Sequence, residues 1–496
     1  MITLAHGAFL AREVRRRCKD SSCPPVVSDE LRHLVRPGQR YGYDLVVHVG
    51  LGRYLAGRQR EEIRRTLLEN HGIELSAGTI SALCDRFLAL LESLHVQRAP
   101  QLRAAMQGGY PLHIDATSEH NKGGLFVCLD GWRQWVLWAG RVPSESADNL
   151  APHVAKTVEL FGEPIAVMRD MGEGGAGSVE RLRQKGIPDL ICHYHFLGAI
   201  GNKLFDGPYD AIRRLLRSTG TRRDMRVLLR DLQAYGLSRA ADGRFGAGRV
   251  REDLQALVLW VLEGDGSKGA LFPFALPHQE FVRRCRRASD QCDEWVPCPR
   301  TRPERRAIRH LTSLVAKLER SPHLSPLVRE LDVRWREFSE LRGVLRLSDA
   351  ELPRGDSRYQ QQQLPALEQI KRAVESYQAE LQERIPAKDR DNKRPSSASG
   401  IIVKYLEKHR SQLFGHPARF DADGEIIAVV DRTNNVLETF FGHEKRRLRR
   451  RLGRAHLGSD MAQQPAQVAV GSHAIPPRVS QDGPPRISST GPAFSR

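Results

Sequence analysis

Apolar and polar positions divide the chain into stretches of different period. From Tyr41 to His95 apolar residues recur at helical spacing through YDLVVHVGLGRYLAG, REEIRRTLLENHG and SAGTISALCDRFLALLESLH, with a break at Gly72. Between Tyr110 and His195 the period shortens. YPLHIDAT, LFVCLD and QWVLWAG predict three strands, the last two joined at the turn residues Asp130 and Gly131. A helix over Ser144 to Phe161, a buried strand PIAVMRD, a glycine-rich turn MGEGGAG, a short helix over Ser178 to Lys185 and a fifth short strand running into CHYH complete the stretch. Three strands, helix, strand, helix, strand is an α/β order, antiparallel first and parallel afterwards.

Beyond residue 200 long helical periods dominate, from YDAIRRLLRS to LPALEQIKRAVESYQAELQERI, and predict an all-helical region over 201–395. KDRDNKRPSSASG then reads as a linker, IIVKYLEKHRSQLF as a helix and FDADGEI as a loop. Helical period resumes after Asn434 and Asn435, residues suited to a helix start. After Gly458 the abundance of Pro, Ser, Gly and Gln predicts disorder.

Two carboxylates stand at the ends of apolar strands, Asp115 in LHIDAT and Asp170 in AVMRD. Ionised groups beside a sheet core are costly unless paired or bound to a cation. Hard divalent cations are held by a few carboxylates together with water and phosphate oxygens. Strand alternation puts His113, Asp115 and Thr117 on one face, the expected metal side. A third acid lies in DRTNNVLETFFGHEKRRLRRRLGR. Glu438 is preferred to the nearby Asp431 because Leu437, Phe440 and Phe441 give the helix an apolar face from which Glu438 projects away.

This ordered set resembles the DDE-type insertion-sequence transposases: Asp115, Asp170, the pair Cys192 and His195 after the last strand, then Asn434, Asn435 and Glu438 followed by a basic run. The resemblance implies an RNase H-like α/β core with a mixed five-stranded sheet, interrupted by an all-helical insertion and preceded by a helical helix-turn-helix domain. It also implies that Asp115, Asp170 and Glu438 bind two Mg²⁺ ions, with Mn²⁺ able to substitute, and cut and join DNA strands at the ends of a mobile element. Cys192 and His195 would brace the site, as would Asn434 and Asn435. Other readings remain open at this point: a relative that has lost catalysis and acts as a repressor, or an RNase H-like nuclease without transposition.

On this basis the chain divides into an N-terminal segment (1–40) expected to be poorly ordered, a helix-turn-helix region (41–105), a first catalytic part (106–200), a helical insertion (201–395), a second catalytic part (396–457) and a disordered tail (458–496). In the helix-turn-helix, Ser76 caps the second helix, and Ser76, Thr79 and Arg86 face away from Ile80, Leu83 and Phe87, toward DNA. A plain helical hairpin fits the same pattern. Lys445, Arg446, Arg449 and Arg450 are the expected phosphate contacts beside the acids.

Composition agrees with a polyanionic partner. The 496 residues carry a formal net charge of +18, and the partner expected is double-stranded DNA, both element ends and target. Assembly as a homo-oligomer on DNA follows from the resemblance alone. Eight Cys without a dense framework suit a reducing compartment. Cys18 and Cys23 lack a second ligand pair, and Cys285, Cys292 and Cys298 lack the paired spacing of a zinc ribbon, so zinc is not expected. Arg12 to Arg17 follow the first apolar residues, the reverse of a signal peptide, and no run of eighteen apolar residues occurs. A cytoplasmic protein, nucleoid-associated when bound to DNA and without a membrane partner, is the expectation.

Overall fold

The computed structural model describes residues 1–11, 15–16, 19, 26–27, 30–118, 123–241, 248–264, 272–295, 301–347, 357–389, 392, 395–454, 456–457 and 459–471. Cys18, Cys23, Glu119, His120, Cys298 and the tail from 472 onward lie outside the described residues. The chain divides into two compact units, Met1–His193 with Glu351–Leu367 and Ser411–Arg496, and Tyr194–Ala350 with Glu368–Arg410.

In the first unit, α1 (Tyr43–Gly50), α2 (Arg60–His71) and α3 (Ala77–Ala105) precede the sheet. Gly72 ends α2 with φ of 59°, the left-handed conformation that stops a helix and that glycine adopts without strain. Ser76 opens α3 by accepting a hydrogen bond from the Thr79 N–H. Leu45, Val49, Ile63, Leu67, Ile80, Leu83 and Phe87 form one apolar cluster between the three helices.

Residues 41–105 belong to the same compact unit as the sheet. Helix α3 is 29 residues long, and its far half enters the core of the sheet through Ala99 while His95 Nε2 meets the Leu137 carbonyl at 2.7 Å. One unbroken helix thus contributes to both apolar clusters. At the start of the chain the Ile2 N–H donates to the Arg40 carbonyl and the Gly42 N–H to the Ile2 carbonyl.

The sheet consists of β1 (Pro111–Ser118), β2 (Gly124–Asp130), β3 (Trp135–Val142), β4 (Ala166–Arg169) and β5 (Asp189–Ile191), in the order β3-β2-β1-β4-β5. The first three pair antiparallel, and β4 and β5 run parallel to β1. The mixed five-stranded α/β sheet expected from periodicity is therefore present. Leu112, Ile114, Phe126, Cys128 and Leu137 face α4 (Ala147–Phe161) on one side. On the other, Leu125, Val127, Leu129, Val136 and Ala139 meet α7 (Asn435–Leu452).

Three local expectations need correction. MGEGGAG is largely helical, in α5 (Glu173–Ser178), with α6 (Glu180–Gln184) after it. Its glycines serve close packing: a Cβ on Gly177 would lie 2.6 Å from the Ala147 side chain. The expected loop around FDADGEI is a hairpin of β6 (Ala418–Phe420) and β7 (Ile426–Val429). Asp421 closes it by accepting from the Asp423 and Glu425 N–H groups. The described residues of the tail form α8 (Ser459–Gln463) and α9 (Gln467–Gly471). Leu457, Met461, Ala469 and Val470 bury against the sheet there, a short apolar pattern hidden by the polar average of the segment.

In the second unit the elements are helical throughout its described residues, from within His193–Thr219 to within Ala398–Leu413. Phe205, Phe281 and Phe338 are fully buried there. The expected limits at 201 and 395 shift to 194 and 410, the first having fallen inside a continuous helix. No described helix is long and apolar enough to cross a membrane.

Candidate active site

Strands β1 and β4 pair in parallel with His113 opposite Met168. Asp115 follows the last paired position of β1 by two residues, and Asp170 directly follows β4. Both line one cavity of about 230 Å³, with Ile114, Phe126, Arg169 and Gly172 also in its wall. Each carboxylate is held by local backbone. Asp115 Oδ1 accepts from the Ala116 N–H at 2.8 Å and Asp170 Oδ1 from Gly172 at 3.0 Å.

Asp170 is further fixed from below. Arg169, 4% exposed, grips both oxygens of Asp189 at 2.7 Å and donates from Nη1 to the Asp170 carbonyl at 2.8 Å. Gln412 also donates to Asp189. A buried, bidentate guanidinium with its remaining donor on the backbone sets where the following carboxylate stands.

Glu145 also lines the cavity, a residue that sequence reasoning passed over. It precedes α4, where an acid reads as ordinary helix-start decoration. Its position comes from Gly174, where a Cβ would lie 1.6 Å from the Glu145 carbonyl oxygen, so only glycine lets α5 close on this loop. Partial burial first, and the negative charge of Asp170 second, hold the Glu145 carboxyl above its usual range.

The late segment is tied to the sheet at its turn into α7. Asn434, fully buried, brings Oδ1 to 2.9 Å from His113 Nδ1 and donates from Nδ2 to the Ile114 carbonyl. Its own N–H donates to Cys192 Sγ at 3.3 Å, and the His193 N–H donates to the Arg432 carbonyl. The Asn434 side chain makes no capping bond and reaches into the sheet instead. The face of β1 expected to be the metal side is thus covered at His113, which anchors the segment.

Glu438 sits one turn beyond that anchor, exposed in the first turn of α7, and it does not line the cavity. Among the described residues no three His, Cys, Asp or Glu side chains are grouped closely enough to hold a metal ion. The structure therefore brings Asp115 and Asp170 together, adds Glu145, and leaves Glu438 on the neighbouring helix. Cys192 is buried against Asn434, Asn435 is half-buried, and His195 belongs to the helical unit.

Behind the anchor two buried imidazoles meet. His193 and His416 have ring centres 5.7 Å apart, and neither nitrogen of His416 finds a hydrogen-bond partner among the described residues. Burial above all, then the charges of His193, Arg432 and His113, press His416 down to about 3. Burial presses His193 down to about 4 against its bond to the Leu413 carbonyl. A histidine whose folded pKa is depressed stabilises fully above its unfolded value of about 6.5 and loses that contribution as pH falls toward the folded value. Between pH 7 and pH 5 the wild type is expected to lose about 2 kcal/mol relative to His416→Phe. Denaturant melts of both proteins at the two pH values check this, and parallel curves would overturn it.

The expected DNA contacts divide. Ser76 and Thr79 stand at the start of α3, their hydroxyls 2.9 Å apart. Arg86 instead turns inward, donating to the Tyr41 carbonyl and Gln39 and lying over the Tyr43 ring, because the preceding segment folds back across α3. On α7, Arg446, Arg449 and Arg450 are exposed and Lys445 is half-buried. Arg447 pairs with buried Glu444. No known protein-family model matches the chain, and no characterised protein matches it either.

Proposed function

We propose that this protein is a DDE-type DNA transposase, with the mixed sheet as an RNase H-like core and metal-dependent strand cleavage and transfer as its chemistry. The observation that carries the reading is that Asp115 and Asp170 line one cavity, with the late helix anchored to β1 through Asn434. Asp115 and Asp170 would hold divalent cations such as Mg²⁺ or Mn²⁺, and Glu438, from α7, is the third acid of the proposed set. When bound, such ions activate the attacking hydroxyl or water and stabilise the leaving oxygen.

The chain's own residues orient and neutralise. The Ala116 and Gly172 N–H groups aim the two carboxylates, Arg169 holds the backbone of Asp170, and the basic outer face of α7 attracts the phosphates that lie at the site. Phosphoryl transfer needs positioning and charge stabilisation more than a protein nucleophile. Element ends and target, both double-stranded DNA, are the proposed substrates. A homo-oligomer would pair the ends in the cytoplasm.

Glu145 favours a second reading, a nuclease that does not transpose, because it lines the cavity with Asp115, Asp170 and Glu173 whereas the late glutamate does not. Purified protein with Mg²⁺ or Mn²⁺ is expected to nick DNA carrying the inverted repeats that flank the reading frame, and to join those ends to a target plasmid. Nicking without joining supports the nuclease. Duplex binding without either would leave a repressor.

A further inference from the structure

The turn between α1 and α2 closes onto the basic half of α7. Gly57 has φ of 67°, and a Cβ there would lie 3.4 Å from the Arg447 carbonyl and 3.7 Å from Arg450 Cδ. Gly453, at the end of α7, stands as near to the Gln59 side chain, 3.8 Å by the same measure. Inside the junction the Arg451 guanidinium lies 5.3 Å from the centre of the Tyr54 ring, and Arg53 donates to the Arg58 carbonyl. Two stretches that appeared as separate DNA-directed elements are therefore neighbours, held in register by packing.

Along the seam Arg58 comes from the turn, Arg60 from the start of α2, and Arg446 and Arg450 from α7, all four exposed. Of the nearby carboxylates, Glu61 pairs with Arg64, Glu62 accepts from the Gln59 N–H, Glu444 pairs with Arg447, Asp460 pairs with Arg454, and the Asp85 charge on α3 acts on Tyr54. None pairs with the four seam arginines among the described residues. Arg60 is steadied by Ser81 of α3 at 2.7 Å. The aromatic residue of the junction, Tyr54, is buried under Arg451, so base stacking has no platform there.

We infer that Arg58, Arg60, Arg446 and Arg450 form one continuous cradle for the phosphate backbone of a DNA duplex. It rests on the DNA-directed reading above and specifies which surface takes the duplex. Guanidinia without carboxylate partners neutralise phosphates and release counterions, so each contact steepens the salt dependence of binding.

The test is fluorescence anisotropy with a labelled duplex, without divalent metal so that cleavage plays no part, across a salt series. Arg58→Ser and Arg450→Ser are each expected to weaken binding roughly threefold to tenfold near 0.1 M salt and to lower the log–log salt slope by about 1. Arg58→Lys and Arg450→Lys should keep the slope, which separates lost charge from misfolding, and Lys156→Ser on α4 should change nothing. If the wild type binds and the serine variants match it in affinity and slope, the cradle is refuted while the DNA reading stands. If the wild type binds anionic vesicles but no duplex, both fall.

Discussion

Asp115→Asn and Asp170→Asn are each expected to reduce Mg²⁺-dependent strand cleavage by roughly 10³-fold or more while leaving duplex affinity within about twofold. The amide keeps the shape of the carboxylate, and its oxygen still accepts from the Ala116 or Gly172 N–H, so the fold has no reason to change. What disappears is the negative charge that holds a cation, and several kcal/mol of transition-state stabilisation with it, each 1.4 kcal/mol being about tenfold in rate. Nicking assays on supercoiled plasmid and melting curves on the same preparations separate the two effects.

The same assay decides between the acids that complete the pair. Under the transposase reading Glu438→Gln matches the aspartate variants, whereas Glu145→Gln costs only about tenfold, through altered charge in the cavity. The reverse order would assign the cavity to Asp115, Asp170 and Glu145 and dismiss Glu438 as a catalytic residue. Full activity in both aspartate variants would remove the basis of any metal-dependent reading.

Asn434→Leu is expected to destabilise the sheet-bearing unit by about 2–4 kcal/mol. Leucine occupies a similar volume but leaves the Ile114 carbonyl without this donor and His113 without this partner, both in the interior. Stranding buried polar groups costs about 1–3 kcal/mol for each. Because the bond partners are 320 residues apart in sequence, the loss should appear as faster hydrogen exchange in the first turn of α7 as well as a lower denaturation midpoint. Cleavage should fall with it, since the helix bearing Glu438 loses its attachment to β1. Unchanged exchange at residues 435–440 would show that apolar packing of Val436 and Leu437 holds this helix without Asn434.

Much of the architecture is local in origin. The alternation of β1 to β3, the buried run of β4, the amphipathic α4 and the helical periods beyond residue 200 are properties of short windows. They were readable because side-chain burial follows backbone period. Asp115 and Asp170 were legible as strand-end acids for the same reason. Glu145 was not, because nothing in its neighbours distinguishes a cavity wall from a helix start. Arg86 read as outward-facing from helical spacing, yet the segment that folds back over it is a distant contact. The apolar residues of α8 and α9 were too few to outweigh the polar composition around them.

Taken alone, the order of residues determined which segments become strands and helices, which acids close apolar strands, and the strongly basic balance. Only the tertiary structure decided that the parallel pairing of β1 and β4 brings Asp115 and Asp170 into the wall of one cavity, that Gly174 closes on the Glu145 loop, and that Asn434 pins a late helix to an early strand. The physical reason is range. Periodicity reports the face a residue shows to its own element, whereas strand register, glycine-permitted close approach and buried hydrogen bonds are relations between elements that no single window contains.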